Sequence, residues 1–375
     1  ITKLPWHAVI LDEAQYIKNP DSQTAQSARA LRAEHRLALS GTPIENRLLD
    51  LWSILAFAMP GVLGSRSGFG RLFDSKEDPF ARRRLAARVR PFLLRRTKNQ
   101  VAKDLPDRIE EDLSIELEGV QHKLYQAELK RARAHLLKAQ MPGQLDKLRF
   151  HLLTSLLRLR QICCHTELVG LNETTVEPGI EEQALPKTPK KKAKPKKVVS
   201  GESAGMSAKL DALLELLEPL MEEGQKVLVF SQFVHMLEII RAAIIERGWS
   251  HYILTGQTDN RGDLVQEFQQ AEGSAVFLIS LKAGGAGLNL TAASYVVLFD
   301  PWWNPAVEAQ AIDRTHRIGQ KSTVFAYRLV VKDSIEQKIR DLQKQKSAIA
   351  QDILGEENFA RALTLNDFHF LIGSD

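Results

Sequence analysis

Five short apolar segments follow one another in the second half of the sequence, and they restrict the possible fold more than any other feature. Each is separated from the next by a stretch that reads as a helix or a loop. Short apolar runs of this kind are typical of buried strands in a parallel sheet, so the second half is predicted to be a parallel α/β domain. The five segments are KVLVFS (226–231), HYILTG (251–256), AVFLIS (275–280), YVVLFD (295–300) and TVFAYRLVV (323–331).

The first half combines two strand-like segments, HAVILDEA (7–14) and RLALSGTP (36–43), with a long helical region from about 48 to 169. In that region FHLLTSLLRLRQICC is predicted to be an amphipathic helix. After the last strand, DSIEQKIRDLQKQKSAIAQDIL is predicted to be one long amphipathic helix. The apolar stripes comprise Leu152, Leu153, Leu156, Leu157 and Ile162 in the first helix, and Ile335, Ile339, Leu342, Ile349 and Ile353 in the second.

A lysine- and proline-rich segment, PKTPKKKAKPKK (186–197), lies between the two halves. It holds seven lysines, so the net charge of +5 becomes −2 when this segment is left out. The basic balance of the chain therefore does not indicate a basic nucleic-acid-binding surface by itself. Together with its polar flanks the segment is predicted to be a disordered linker. Salt-sensitive contact with DNA phosphates and a purely solubilising role both remain open for it.

The remaining composition is that of a globular protein. No run approaches the eighteen apolar residues that indicate a membrane span, and the start, ITKLPWHAVI, lacks the layout of a signal peptide. The two cysteines are the adjacent Cys163 and Cys164. Their spacing fits no zinc site, and we interpret both as packing residues of a helix in a reducing compartment.

Two adjacent carboxylates, Asp12 and Glu13, directly follow the first strand-like segment. Acids here suit the positive end of a helix dipole, which is one interpretation. The other interpretation is catalytic, because ligands of parallel sheets bind at the carboxyl ends of strands and a Mg²⁺ ligand beside a general base is typical of nucleotide hydrolysis.

The stretch from Ile279 to Gln320 contains a glycine-rich loop after one strand, an Asp-Pro-Trp-Trp-Asn-Pro loop after the next, and then a predicted helix that carries Gln310, Arg314 and Arg317. Glycines after a strand let main-chain N–H groups approach an anion. Arg314 and Arg317 lie three residues apart on a predicted helix, so they are expected to share a face and to reach a polyphosphate together. Each feature has a structural alternative: a tight turn, a solvated face and, for Trp302 and Trp303, ordinary core packing. Their order along the chain favours the functional interpretation.

Eight motifs in this order resemble the Swi/Snf-type ATPases, which are double-stranded-DNA translocases of helicase superfamily two, in a prokaryotic form. The resemblance covers nearly the whole chain apart from the linker. It implies an α/β fold with two RecA-like parallel-sheet lobes that face each other across a cleft. The motifs are LDEAQ, LALSGTPIENRLLDLWSIL, RPFLLRRTKNQVAKDLP, LRLRQICCH, KVLVFSQF, SLKAGGAGLNLTAA, DPWWNP and QAIDRTHRIGQ.

The resemblance implies ATP and Mg²⁺ as cofactors and assigns a role to the first acidic pair. Asp12 is expected to hold Mg²⁺ through water, and Glu13 to position and deprotonate the attacking water. Arg314 and Arg317 are expected to act as arginine fingers. The remaining nucleotide-site residues implied in this way are Gln15, Gly285 and Gln310.

The resemblance also implies double-stranded DNA as the partner, bound without sequence preference through its phosphates. It suggests a DNA-bound protein such as RNA polymerase as a further partner, a cytoplasmic, nucleoid-associated location and no membrane association. The residues expected at the DNA are Ser40, Thr42, Asn46, Ser231, Gln232, Lys282, Gly284, Trp303 and Asn304.

The chain is expected to divide into five segments. The inserted helices match the family's helical protrusions, and the last helix matches a brace that packs across the lobes. The segments are the end of lobe one (1–115), a helical protrusion (116–170), the linker (171–206), lobe two (207–331) and the brace with its tail (332–375).

No G-x-x-x-x-G-K-[ST] phosphate-binding loop occurs in the 375 residues. The expectation is that this loop and its strand precede Ile1 in a longer polypeptide, and that the 375-residue chain alone is inactive as an ATPase. A degenerate subunit, a non-catalytic docking module and a strand-separating helicase are the alternatives.

Overall fold

The computed structural model divides into two compact units. The first comprises Ile1–Lys103 and Ser347–Gly355, and the second comprises Asp104–Lys346 and Glu356–Asp375. The structure describes residues 4–40, 48–73, 80–94, 96, 98–102, 104–139, 145–170, 207–281, 283, 288–350 and 364–373.

Two parallel strands form the sheet of the first unit, as the sequence predicts. Strand β1 (Pro5–Leu11) pairs with β2 (Arg32–Ala38), and helix α1 (Gln23–Ala30) connects them. Apolar residues of both strands are nevertheless exposed. Ile10 is 61% exposed and Leu37 of β2 is 50% exposed, because among the described residues each strand has one neighbour and only Val9, Leu11 and Ala38 pack on the core.

The helices of the first unit pack around two small apolar clusters. Leu51 and Leu55 meet Phe69, Phe73 and Leu85 in the larger cluster. A second cluster, which includes Ile54 and Phe57, covers the inner side of the two strands. The helices are α2 (Leu48–Ala58), α3 (Arg66–Phe73), α4 (Ala81–Val89) and α5 (Lys98–Val101).

A six-stranded parallel sheet forms the centre of the second unit, in the order β3-β8-β7-β4-β6-β5. All five strands predicted in the second half are present, and the prediction of a parallel sheet is confirmed. Every residue of β6 is buried, in agreement with its continuous apolar run. The strands are β3 (Arg108–Ile115), β4 (Lys226–Ser231), β5 (His251–Leu254), β6 (Ala275–Ser280), β7 (Tyr295–Leu298) and β8 (Val324–Val331).

The edge strand β3 corrects two predictions. Its residues lie in the region predicted to be helical (48–169) and in the first lobe, which is expected to end at residue 115, yet they form a strand that pairs with β8 from Arg108↔Val324 to Ile115↔Val331. The second unit therefore begins at Asp104, before the linker segment. The segment 207–331 does not supply all the strands of its own sheet. Three consecutive acidic residues, Glu110, Glu111 and Asp112, interrupt the apolar residues of β3, so its pattern does not show that it belongs to this sheet.

Helices from both sides of the linker segment pack in the second unit. The prediction for α7 (Leu145–Cys164) is largely confirmed: Leu152, Leu156 and Ile162 are buried, but Leu157 is 38% exposed and Leu159 takes its place in the core. The two cysteines are buried and free, as expected. The other helices are α6 (Gly119–Ala139), α8 (Glu167–Gly170), α9 (Ala208–Glu222), α10 (Val234–Glu246), α11 (Arg261–Gln270), α12 (Pro305–Ile312), α13 (Ile335–Ala350) and α14 (Leu365–Ile372).

The C-terminal helices pack with this helical group. Ile335, Ile339 and Leu342 of α13 join Phe368 of α14 in a core cluster that also contains Leu156 of α7. The predicted linker (171–206) and Ile353 lie outside the described residues. None of the helices that the structure describes is long and apolar enough to cross a membrane.

We expect trypsin to cut this chain first between Gly170 and Ser207, where the lysines are concentrated. Because β3 and β8 pair over eight residues, the two fragments should remain associated under native conditions. Size-exclusion chromatography of the digest, followed by a denaturing gel of each peak, measures this. Separate elution of the fragments in native buffer would contradict the shared sheet, and the same digest in concentrated urea is the control that separates them.

Candidate functional site

The acidic pair lies at the carboxyl end of β1, in a backbone conformation that is unusual for a side-chain-bearing residue. Glu13 has φ 50° and ψ 50°, in the left-handed region, and it precedes a 3₁₀ turn, Ala14–Ile17. Such a residue is held there only by its surroundings. The Ala14 N–H donates to the Leu39 carbonyl at 2.8 Å, and the Leu39 N–H donates to the Leu11 carbonyl at 2.8 Å. These bonds fix the turn against the end of β2.

Two hydrogen bonds connect Glu13 with Ser40, and we call this set the Glu13–Ser40 relay. The Gln15 side-chain amide donates to a Glu13 carboxylate oxygen at 2.6 Å. The Ser40 hydroxyl donates to the Gln15 amide oxygen at 2.9 Å. The relay therefore joins a residue of the predicted nucleotide site to one of the predicted DNA-contact segment.

Asp12 has the donor chemistry that Mg²⁺ requires. It is exposed, and one of its oxygens accepts the Glu13 N–H at 2.9 Å. Among the described residues no donor reaches its second oxygen, which is available to a metal ion or to water on that ion. Carboxylate oxygens with few protein ligands and several waters suit Mg²⁺. The residues present therefore fit the expected ion.

In the second unit a buried carboxylate joins the ends of two strands. Asp300, which follows β7, accepts the Ser231 hydroxyl at 2.5 Å and the Gln232 main-chain N–H at 3.3 Å. Burial raises the pKa of Asp300, and the nearby Arg160 guanidinium opposes that rise. The expectation that the Ser231 hydroxyl meets a DNA phosphate is corrected, because this side chain is buried and donates to Asp300. Gln232 is partly buried beside it.

Arg160 of α7 holds the loop that follows Asp300. Its guanidinium donates to the Pro301 carbonyl at 2.7 Å and lies 5.1 Å from the ring centroid of Trp303. Trp303 is only 8% exposed and belongs to the core cluster of α6, α7 and α13. The structure therefore corrects its assignment as a DNA contact, and the core-packing alternative describes it. Trp302 is also buried, in a separate cluster.

The next residues begin helix α12. The Asn304 side-chain oxygen accepts the Ala306 N–H at 2.9 Å and caps the helix, with Pro305 at the first helical position. Glu308 in the same helix is buried, and it accepts the Trp302 N–H at 2.8 Å and the Arg328 Nε at 3.0 Å. The loop between β7 and α12 is thus held by polar contacts on both sides.

The predicted arginine pair lies beyond this helix and not on it. Helix α12 ends at Ile312, because the Thr315 hydroxyl and N–H both donate to the Ile312 carbonyl, at 2.7 and 3.1 Å. The prediction that the two arginines share a helical face is therefore wrong. Arg314 is 6% exposed, whereas Arg317 is exposed in the following turn. Gln310 is exposed on α12.

Several predicted site residues lie outside the described residues, so their prediction stands without a structural description. Two belong to the segment after Ser40, and three belong to the glycine-rich loop after Leu281. They are Thr42, Asn46, Lys282, Gly284 and Gly285.

Sequence reasoning missed the buried charges of this region. Arg160 and Pro301 are 141 residues apart, and Lys209 and Glu336 are 127 residues apart. Nothing in the local pattern shows that these side chains meet. The one usable signal was a charged residue inside an otherwise apolar helical stripe, as Arg160 is in LRLRQICC.

Family models match both halves of the chain. The model of the SNF2-related domain matches residues 1–168, and that of the helicase conserved C-terminal domain matches residues 208–319. The chain is also similar to the Sulfolobus solfataricus SWI2/SNF2 ATPase core in complex with dsDNA, with 32% identity and a TM-score of 0.53, over 99% of this chain and 73% of that one. The chain belongs to the SWI2/SNF2 family.

Two curated relatives agree with this assignment. A protein of Mycoplasma pneumoniae, named as an uncharacterized ATP-dependent helicase, is 38% identical over 97% of this chain and 32% of its own length. A mouse SWI/SNF-related regulator of chromatin, subfamily A member 1, is 36% identical over 90% of this chain and 31% of its own length. The SWI2/SNF2 chain thus spans about a third of the length of these relatives. Its predicted RecA-like α/β fold class is confirmed.

We expect Arg160→Lys to destabilise the SWI2/SNF2 chain by about 1–3 kcal/mol, because an ammonium cannot both bond to the Pro301 carbonyl and stack on Trp303. Urea unfolding followed by tryptophan fluorescence measures the change. The matched control is Arg158→Lys on the same helix, at a partly exposed position, with an expected effect below about 0.5 kcal/mol. Equal effects of the two substitutions would show that the Arg160 contacts do not hold the loop.

Proposed function

We propose that this chain is part of an ATP-dependent motor that moves along double-stranded DNA and remodels protein–DNA complexes. Family membership supports ATP-dependent helicase or translocase activity. The similarity to an ATPase core that was solved with dsDNA supports duplex DNA as the partner. The same proposal places the protein on the nucleoid in the cytoplasm, with a DNA-bound protein such as RNA polymerase as the object that is displaced.

The Glu13–Ser40 relay is the observation that carries this proposal. A carboxylate that is fixed by a side-chain amide can orient a water molecule and accept its proton during attack on a phosphoryl group. When Mg²⁺ is bound, it neutralises charge on the phosphates, and Asp12 is the residue that would hold it through water. Glu13 then acts as the general base, and Gln15 keeps its carboxylate oriented.

The relay also provides a way to couple contact with DNA to the hydrolysis of ATP. Ser40 begins the SGTP segment that is proposed to meet the duplex. A displacement of its hydroxyl by DNA changes the hydrogen bond to Gln15, and Gln15 in turn shifts the Glu13 carboxylate. Stimulation of hydrolysis by duplex DNA follows from this arrangement.

Of the two predicted arginine fingers, Arg317 has the exposure that the role requires. We propose that it stabilises the charge that develops on the transferred phosphoryl group. Arg314 is buried, and its main-chain carbonyl accepts the Leu290 N–H at 3.1 Å. We propose that Arg314 fixes the loop that presents Arg317.

Contacts with DNA are proposed to fall on phosphates and to carry no sequence information. Ser40 can donate a hydroxyl. Thr42, Asn46, Lys282 and Gly284 keep their proposed roles from the family pattern, and Asn304 contributes from the loop before α12, the helix that its side chain caps.

In the whole protein, Glu13→Gln and Arg317→Ala are each expected to lower DNA-stimulated ATP turnover by about 10³-fold or more, because one removes the general base and the other the charge stabilisation. Duplex binding should stay within about twofold of the unsubstituted protein, since neither side chain is proposed to touch DNA. Steady-state ATPase assays and anisotropy titrations measure both quantities. Lys321→Ala is the matched control, because it removes an exposed positive charge near Arg317.

Turnover above about a tenth of that of the unsubstituted protein in either variant is too high for the proposed roles. Translocation is tested with the same protein by ATP-dependent displacement of a third strand from a DNA triplex. Displacement without release of a duplex strand supports a translocase, and release of a duplex strand would instead identify the strand-separating alternative.

A further inference from the structure

The turn that carries Arg317 is fixed at its far end by Gln320, and we call residues 313–320 the Arg317 turn. The Gln320 main-chain N–H donates to the Arg317 carbonyl at 2.9 Å, and its side-chain amide donates to the Ala293 carbonyl at 2.8 Å. Gly319 has φ 106°, which suits a residue without a side chain. Since Gln320 is buried, this end of the turn is tied to the residues that precede β7.

The near end of the Arg317 turn is held by the segment with which the second unit begins at Asp104. The His316 ring atom Nε2 lies 2.7 Å from the Pro106 carbonyl oxygen. A carbonyl oxygen can only accept, so Nε2 carries a proton and donates it. The Arg108 guanidinium donates to an Asp313 carboxylate oxygen at 3.0 Å. Two side-chain contacts therefore connect the turn to this segment.

The segment that makes these contacts is itself fixed by the sheet. Arg108 is the first residue of β3 and pairs with Val324 of β8. The Val324 N–H donates to the Asp107 carbonyl at 2.9 Å, which extends the pairing by one residue. The Arg108 side chain is 20% exposed and also pairs with Glu110. The partners of His316 and Asp313 thus belong to the edge of a six-stranded sheet.

An arginine that stabilises a transferred phosphoryl group acts only when its guanidinium reaches that group. A misplacement of about 1 Å in such a site can cost about 10²-fold in rate. Arg317 is exposed, so its position depends on the main chain from which it extends. His316 directly precedes it, and a hydrogen bond from the His316 ring to a fixed carbonyl restrains that main chain.

We propose that His316 and Arg108 are positioning residues for Arg317. They hold the Arg317 turn against the start of β3, so that the Arg317 guanidinium is placed for the transferred phosphoryl group. The proposal rests on the proposed function for the role of Arg317. Neither His316 nor Arg108 is proposed to touch the nucleotide or DNA, and both act through the main chain of the turn.

The test compares variants of the whole protein. His316→Phe keeps a ring without a donor, whereas His316→Gln keeps a donor without the ring. His316→Phe and Arg108→Ala are each expected to lower the DNA-stimulated kcat by about 10- to 100-fold, with the KM for ATP and the duplex affinity within about twofold. His316→Gln should stay within about threefold of the unsubstituted kcat, because the donor is kept.

The matched control is His251→Phe, which should keep the unsubstituted kcat. His251 is also a partly buried histidine of the second unit, and its ring Nδ1 lies 3.4 Å from the Trp249 carbonyl oxygen. It belongs to β5, at the opposite edge of the sheet from β3. A loss of kcat in His251→Phe as large as that in His316→Phe would overturn the proposal.

A second measurement separates positioning from a purely structural role. ADP with aluminium fluoride mimics the transferred phosphoryl group, so its affinity should fall in His316→Phe by about the same factor as kcat, while the affinity for ADP alone should not change. Equal weakening of both ligands, or of neither, would overturn the proposal. Thermal melting by circular dichroism checks that each variant is folded at the assay temperature. If His316→Phe does not fold, Arg108→Ala decides by the same criteria.

The last arm distinguishes this proposal from the function on which it rests. Because His316 acts through Arg317, adding His316→Phe to Arg317→Ala should cause no further loss of kcat. A further loss as large as that of His316→Phe alone would refute the positioning role. If Arg317→Ala lowers kcat but His316→Phe and Arg108→Ala do not, the positioning role is refuted while the function stands. If Arg317→Ala leaves kcat unchanged, the role of Arg317 fails and the positioning role fails with it.

Discussion

A buried ion pair between Lys209 and Glu336 connects the parts of the second unit. Both side chains are 0% exposed, and the ammonium and a carboxylate oxygen lie 2.7 Å apart. Lys209 also donates to the Phe299 carbonyl at 2.8 Å, and Glu336 accepts the Val331 N–H at 3.0 Å. Burial is the largest single effect on the pKa of Lys209 and acts to lower it, but the charge and hydrogen bond of the Glu336 carboxylate, together with the neighbouring Cys163 and Cys164, raise this pKa above its ordinary value. Helices α9 and α13 are thereby fixed to the ends of β7 and β8.

The other buried charges lie at the same edge of the sheet. They fix the positions of the loops for which a function is proposed. Asp300 orders the end of β4, and Arg160 holds the Pro301 carbonyl. Glu308, which is paired with Arg328, holds the following loop by accepting the Trp302 N–H. Hydrogen-bonded charges in a low-dielectric interior are costly when a partner is missing, so each loop has one favourable arrangement. Arg317 is exposed just beyond this set. The buried network therefore holds these loops in a rigid frame, and the frame positions the exposed side chains.

The sequence predicted the elements of this frame better than their assembly. Periodicity reports which residues are apolar on one element, and it correctly indicated the five strands of the second half and the buried side of α7. It did not reveal β3, whose residues were predicted to be helical and to belong to the first lobe, and it does not report which element lies next to another. The contacts of polar side chains are harder still to predict from the sequence. The ends of α12 and the burial of Trp303 depend on contacts with Thr315 and Arg160, which neither helical spacing nor residue size reveals.

The direct test of this account is a double-mutant cycle at the central ion pair. Lys209→Met and Glu336→Leu are measured singly and together by urea unfolding of the 375-residue chain. Each single substitution leaves an unpaired buried charge and is expected to lower the free energy of unfolding by about 3–5 kcal/mol, whereas the double variant should lose much less than the sum. Single losses below about 1 kcal/mol, or additive losses, would contradict the claim that this pair holds the second unit together.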